Sequence, residues 1–413
     1  MHKTSYLEQV SRKSEQYHAK YGHRPWKANA FFWFWNLVQL VRFQRPMRPL
    51  KDGVCRVGFH LKGGLGDILV SLNYLKNLHR FLGGALAFDV YVSDKRDFLE
   101  TIRTLCREQD FVKQVLPKFQ LRHDYDLFVE LVRFPAILHC NESKISELFP
   151  ELHRWCLAVD KFHRDHPVVF RYSTHGDYIG LKLVMLHGHN RLQQADVADL
   201  IHVESAFCPK VLADAQETLA KFSLHGKRFI TLQRGVGGGD RNVSTKLWPM
   251  EHYETLVALI REKVPDICIV QIGTQKNLPI RGVDMDLRDK TSFEDVMVFM
   301  RESSCHIDGE CGLVHLRHFL AGGASIVLFG PTDEKFFAYP ENVNMNSGIC
   351  PGGCEWITAS YTSRCARGFE ENECLVKLSP ETVLPRVLEV LDASSKNSLQ
   401  ERESAIPALP CRA

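Results

Sequence analysis

Three places in the chain combine residue types that handle phosphate or protons. The first is Lys62-Gly-Gly-Leu-Gly-Asp67, where glycines lead to a carboxylate at the start of a helical pattern. The second is the glycine-rich run Arg234-Gly-Val-Gly-Gly-Gly-Asp240, followed by Lys246 in Ser244-Thr-Lys-Leu-Trp-Pro249. The third is Gly309-Glu-Cys-Gly-Leu-Val-His315. Glycine just before a helix leaves backbone N–H groups open to a ligand, and the helix dipole favours an anion there. A glycine-rich loop adds more N–H groups that can fold around phosphates. Each place also has a plainer account. The glycines at 309 and 312 suit the turns of any β-α-β unit. Asp67 suits the N-cap of the following helix, worth about 1 kcal/mol. Lys246 suits a solvated surface charge.

The surrounding elements are legible from periodicity. Cys305–Asp308 is a short apolar run stopped by Gly309, and the next segment places Leu313, Val314, Leu316 and Leu320 on one helical face. Gly322-Gly323 ends that helix, and Ser325–Phe329 predicts a buried strand stopped by Gly330-Pro331. In the amino-terminal half, Cys55–Leu61 alternates and feeds the first glycine loop. Ile68–Phe81 then predicts a helix, Phe88–Val92 and Tyr125–Leu131 predict strands, and Asp97–Cys106 predicts a helix between them. A break near 204–210 precedes a helix over Val211–Phe222 and a strand over Lys227–Gln233. Asp266–Gly273 predicts another buried strand, with Gly273 at the carboxyl edge where such sheets bind ligands. The Lys62–Asp67 loop is not G-x-G-x-x-G, so a dinucleotide fingerprint has weak support. The chain divides into an arm (1–50), two Rossmann-like α/β domains (51–205 and 206–393) and a tail (394–413) whose serines and charges predict disorder.

Composition fits this plan. The 413 residues are 45% hydrophobic and 24% charged, as in a soluble globular protein with two ordinary domains. No apolar run reaches the ~18 residues of a spanning helix. The first residues lack the apolar core of a signal peptide, so a cytoplasmic location is expected. Residues 1–50 hold nine Lys/Arg against two Glu, a net +7 that leaves −4 for the rest of a chain at +3. With basic charge confined to the arm, nucleic-acid binding is not expected. Within the arm, Ala28–Val41 is uncharged and aromatic, flanked by Arg24, Lys27, Arg42, Arg45 and Arg48. Residues 24–48 therefore suit peripheral contact with an anionic membrane, or a helix packed on the body of the protein.

Thirteen cysteines in an unexported chain argue for thiols or a metal site rather than disulfides. Cys350, Cys354, Cys365 and Cys374 follow C-x3-C-x10-C-x8-C in a loop spanning 350–374, a set that could hold one structural Zn or Fe. Packed reduced thiols, or a disulfide, are the alternatives. The histidines of 139–202 form no H-E-x-x-H pair and suit the surface and helix packing. Asp284-Met-Asp286 has the form of a metal-binding D-x-D, but such pairs are common by chance.

Gly309–Leu316 followed by Leu328-Phe-Gly-Pro-Thr-Asp333, the Lys62–Asp67 loop, and Lys246-x-Trp-Pro249 before Glu251 occur in one order. Together they resemble the motifs of the family 9 glycosyltransferases, the ADP-heptose:lipopolysaccharide heptosyltransferases and their relatives, over roughly residues 54–390. The resemblance implies the GT-B architecture, two Rossmann-like domains facing across a cleft, with no metal needed for catalysis. By that likeness Asp67 is the base that activates an acceptor hydroxyl, with Gly64 and Gly66 on the acceptor side. Lys246 then binds the donor diphosphate. The donor site comprises Arg234, Gly235, Gly237, Gly273, Glu310, Cys311, Gly312, Leu313 and His315. The partners implied are a nucleotide-sugar donor, ADP-heptose by family default, and a glycan or glycolipid acceptor at the inner face of the inner membrane. Glu310 departs from the aspartate usual in relatives and Cys311 from their Ser or Thr, which weakens the transfer of donor identity. Some autotransporter-modifying members carry an iron-binding cysteine cluster, so a protein acceptor stays open. So does a catalytically idle, metal-stabilised GT-B module used only for binding.

Overall fold

The structure is a computed structural model. It describes residues 54–92, 95–117, 125–167, 178–197, 199–235, 245–350, 352–358 and 360–404, together with residue 30. The arm reading, Gly237 and most of the 235–239 glycine loop lie outside these residues. The chain forms two units. One runs through Gly63 and then Val70–Phe207; the other comprises Gly64–Leu69 and the chain from Cys208 onward.

In the first unit the elements are β1 (Val57–Leu61), α1 (Leu65–Phe81), β2 (Phe88–Val92), α2 (Arg96–Leu105), β3 (Val112–Pro117), β4 (Leu127–Leu131) and β5 (Pro135–Cys140). Helices α3 (Glu142–Leu148), α4 (Pro150–Asp165) and α5 (Tyr178–Leu186) follow. The sheet order is β3-β2-β1-β4-β5, parallel except for β5, which runs antiparallel to β4. β1, β2 and β4 are buried at every position, as strands covered on both faces must be. Asn73 and Asn77 of α1 hold the unit's far end. Asn73 Nδ2 and Asn77 Nδ2 each donate to the Glu204 carbonyl at 2.9 Å, and Asn73 Oδ1 accepts from the N–H groups of Ala206 and Phe207.

The second unit continues with α6 (Ala215–Lys221), β6 (Phe229–Leu232), α7 (Met250–Lys263), β7 (Cys268–Gln271), β8 (Met285–Asp286), α8 (Phe293–Glu302) and β9 (His306–Gly309). It closes with α9 (Gly312–Phe319), β10 (Ser325–Leu328), α10 (Glu334–Phe337), β11 (Val343–Met345), α11 (Glu373–Val376) and α12 (Pro380–Ser404). Its sheet is parallel throughout, in the order β11-β10-β9-β6-β7-β8. Chain progression reverses between β6 and β9, and in such sheets ligands bind beyond the carboxyl ends of the strands at that reversal. Ile230, Leu232, Ile269, Ile307, Ile326 and Leu328 form the centre of the core beneath it.

Three expectations change. The helix read over Val211–Phe222 is confined to Ala215–Lys221, because Asp214 caps it by accepting from the Glu217 N–H at 2.8 Å. The tail read as disordered from Ser394 continues α12 as far as Ser404, since residues 394–404 contain no glycine or proline and include good helix formers. Asp67 is not the N-cap of α1. It lies in the first turn, and its Oδ2 accepts from the Gly64 N–H at 2.9 Å, the return half of a capping box. No helix among the described residues is long and apolar enough to cross a membrane.

Candidate functional site

The reversal point of the second sheet is built from the chain following β6 and β9. After β6, Arg234 is buried, with Nε donating to the Trp248 carbonyl at 3.1 Å, while its Nη1 has no hydrogen-bond partner among the described residues. Burial draws this guanidinium below its ordinary pKa. The turn carrying Lys246 is fixed from several sides. Asn372 Nδ2 donates to the carbonyls of Thr245 at 3.1 Å and Leu247 at 3.0 Å, and Trp248 Nε1 donates to that of Leu378 at 2.7 Å. Gly309 at the end of β9 permits the close approach: a Cβ there would stand 3.2 Å from the Lys246 carbonyl oxygen.

Lys246 is no surface charge. Its Nζ donates to Glu310 Oε2, with side-chain exposures of 17% and 9%. Burial disfavours charge on both groups, yet Glu310 raises the lysine pKa, and Lys246 with His315 holds the Glu310 carboxyl well below the usual carboxylate range. The pair is ionised. His315 Nε2 lies 3.4 Å from Glu310 Oε1, and its Nδ1 is 2.6 Å from the Tyr339 hydroxyl. The tautomer satisfying both has Tyr339 O–H donating to Nδ1 and Nε2–H facing Glu310. Tyr339 is in turn stacked on His318 at 3.8 Å.

Gly64–Leu69, which belong with this unit, bring Asp67 into the neighbourhood. A Cβ on Gly66 would stand 2.4 Å from His315 Cδ2, and one on Gly312 would stand 3.0 Å from Leu65 Cβ. Gly66 therefore packs against the imidazole that faces Glu310, and Gly312 against Leu65. Lys246, Glu310 and His315 thus share one linked set of contacts, with Gly66 packed against His315 and followed in the chain by Asp67. Gly235 and Gly273 serve another end of the site. Added Cβ atoms would stand 2.2 Å and 2.6 Å from Asn277, so both glycines make room for that side chain. Leu313 lies in the first turn of α9.

Cys311 precedes α9, with its side chain facing Asp308. Burial, then the Asp308 charge, pushes its pKa well up, and its Sγ donates to Asp308 Oδ2 at 2.7 Å. Asp308 belongs to a buried polar chain hidden within an apolar run. His306 Nε2 lies 3.5 Å from Asp308 Oδ2, and His306 Nδ1 is 3.0 Å from Thr231 Oγ1.

Cys350, Cys354, Cys365 and Cys374 lie in and around one loop of the second unit. Burial, then the nearby Cys350, Cys354 and Cys365, pushes the Cys374 thiol up to about 12, so the four share a neighbourhood. Among the described residues, however, no three His, Cys, Asp or Glu converge as a metal-holding group. Cys354 N–H donates to the Pro331 carbonyl at 2.7 Å, and Cys374 lies in α11. Asp284 and Asp286 are likewise engaged elsewhere. Asp284 accepts from Ile269 N–H and Arg261, and Asp286 pairs with Arg288 at 2.7 Å.

No protein-family model and no curated protein sequence matches the chain. Solved structures do. The glycosyl transferase family 9 protein from Veillonella parvula aligns with TM-score 0.53 and 14% identity, covering 83% of this chain and 99% of that one. The fold is that of the family 9 glycosyltransferases. ADP-heptose lps heptosyltransferase II of E. coli aligns with TM-score 0.50 and 13% identity, over 82% of this chain and 99% of that one. The iron-containing dodecameric glycosyltransferase TibC of enterotoxigenic E. coli aligns with TM-score 0.51 and 13% identity, over 84% and 78%. The GT-B type expected from the motifs, with two Rossmann-like units, is therefore present.

Proposed function

We propose that the protein is an inverting glycosyltransferase that moves a sugar from a nucleoside-diphosphate donor to a hydroxyl acceptor. The observation that carries this reading is the buried Lys246–Glu310–His315 cluster at the sheet reversal, beside the start of α9 and the stretch bearing Asp67. Arg234 Nη1, Lys246 and the first N–H groups of α9 supply positive charge for the donor's diphosphate. Asp67 takes the acceptor's O–H proton while that oxygen attacks the anomeric carbon from the face opposite the diphosphate. The bond from that carbon to the phosphate oxygen breaks, and its electron pair leaves with the nucleoside diphosphate.

The donor is ADP-heptose and the acceptor a lipopolysaccharide-core or related glycan; both rest on the motif resemblance and on the heptosyltransferases that share the fold. A protein acceptor is the second reading, favoured by the four-cysteine loop. The test is release of nucleoside diphosphate from ADP-heptose by purified protein, with and without core glycan, beside melting in ADP, UDP and GDP. Stabilisation by ADP and glycan-dependent release support the proposal. Selective stabilisation by UDP or GDP overturns the heptosyl donor, and no response to any nucleotide overturns the transferase.

A further inference from the structure

The loop that carries the cysteines is stapled to the chain leaving β10. Gly352 and Gly353 both adopt left-handed backbone, at φ 68° and 67°, which turns Cys354–Trp356 back onto Gly330–Asp333. Three hydrogen bonds fix the contact. Cys354 N–H donates to the Pro331 carbonyl at 2.7 Å, Asp333 N–H donates to Glu355 Oε1 at 2.6 Å, and Trp356 Nε1 donates to Asp333 Oδ2 at 2.9 Å. A Cβ at Gly352 would stand 3.4 Å from the Thr332 carbonyl oxygen, so the two strands of this staple touch.

The staple leaves two polar atoms stranded. Among the described residues, Glu355, 2% exposed, has no hydrogen-bond partner for its Oε2, and Thr332, 3% exposed, has none for its Oγ1. They flank the Asp333–Glu355 hydrogen bond, since Thr332 immediately precedes Asp333. Leaving a buried polar atom unpaired is costly, so two together call for a partner. Glu310 is among the charges that act on the Glu355 carboxyl, and Glu355 among those that act on Lys246.

We infer that Thr332 Oγ1 and Glu355 Oε2 form a subsite that hydrogen-bonds a hydroxyl group of the nucleotide-sugar donor. This rests on the donor reading given under Proposed function. A hydroxyl both donates and accepts, so it can satisfy a carboxyl oxygen and a threonine hydroxyl at once. The group is on the ribose or on the transferred sugar, and the two sources separate by ligand.

The experiment titrates full-length protein with ADP, 2′-deoxy-ADP, 3′-deoxy-ADP and ADP-heptose, replaced by the uridine or guanosine series if wild-type protein binds that base. Thr332→Val is the main variant, because it keeps the shape and removes only the hydroxyl. Glu355→Ala is the second, and unliganded melting reports whether each folds. A ribose contact predicts that Thr332→Val weakens ADP binding roughly 3- to 10-fold but leaves one deoxy ligand unaffected. A sugar contact predicts the same loss with ADP-heptose and none with ADP. Wild-type affinities in a folded Thr332→Val protein overturn the inference, as does an equal loss with every ligand, which marks a structural role. If wild-type protein binds no nucleotide, the donor reading itself fails and the subsite falls with it.

Discussion

Lys246 and Glu310 form a buried ion pair that ties the turn following β6 to the end of β9, the two strands between which the second sheet reverses. Removing one charge strands the other in a poorly solvated place, which costs about 3–5 kcal/mol. Lys246→Met should therefore lower the melting temperature as well as the affinity for a nucleoside diphosphate. Calorimetric melting and titration with ADP check both. Unchanged melting would show that the pair carries no stability.

Asp67→Asn should keep the fold, because the amide oxygen can still accept from Gly64 N–H as the carboxylate does at 2.9 Å. Loss of a general base typically costs on the order of 10²–10⁴ in rate. We expect product formation to fall by that order with donor affinity retained, measured by nucleotide release and by titration on the same sample. Normal turnover would remove Asp67 from the reaction.

Gly66 has no room for a side chain, since an added Cβ would stand 2.4 Å from His315 Cδ2. Gly66→Ala should destabilise the protein and slow turnover by pushing the imidazole off Glu310. Residues in contact are not additive. The double variant with His315→Ala should accordingly melt higher than the sum of the single losses predicts. Additive losses in a denaturant series would break the proposed link.

Glu310 sets a pH dependence of stability. Its folded pKa is depressed below the ordinary value of 4.5. The stability it contributes is therefore fully present above that value and is lost as pH falls through it towards the folded pKa. Between pH 7 and pH 3 the wild-type protein should lose more unfolding free energy than Glu310→Gln, in urea titrations at each pH. Equal losses would mean the carboxyl is not held low.

Much of this site is legible before any coordinates. Glycine before an apolar periodicity marks the turns from β1 to α1 and from β9 to α9, and Lys246 follows a glycine-rich run. What hides is polarity buried among apolar residues. Asp308 sits in a strand whose neighbours read as core, and Glu355 looks like one charge in a Gly/Pro-rich loop. Asn277 gives no local sign that Gly235 and Gly273 pack against it. Strands β3 and β5 leave weak marks in the sequence for related reasons. β3 is half-exposed along its length, and Pro135-Ala-Ile-Leu-His-Cys140 lacks the alternation that marks an antiparallel edge. Arg317 sits on a helix read as amphipathic, yet it is 1% exposed, because its guanidinium reaches the carbonyls of Met300 and Ser303.

The ion pair has a kinetic consequence. If Lys246 binds the donor diphosphate as proposed, that diphosphate must displace Glu310, and the same anion is waiting when the spent nucleotide departs. Glu310 then acts as a resident competitor that weakens product retention as well as donor capture. Glu310→Gln should bind ADP more tightly and be more strongly inhibited by it, which inhibition constants measured on the two proteins will show.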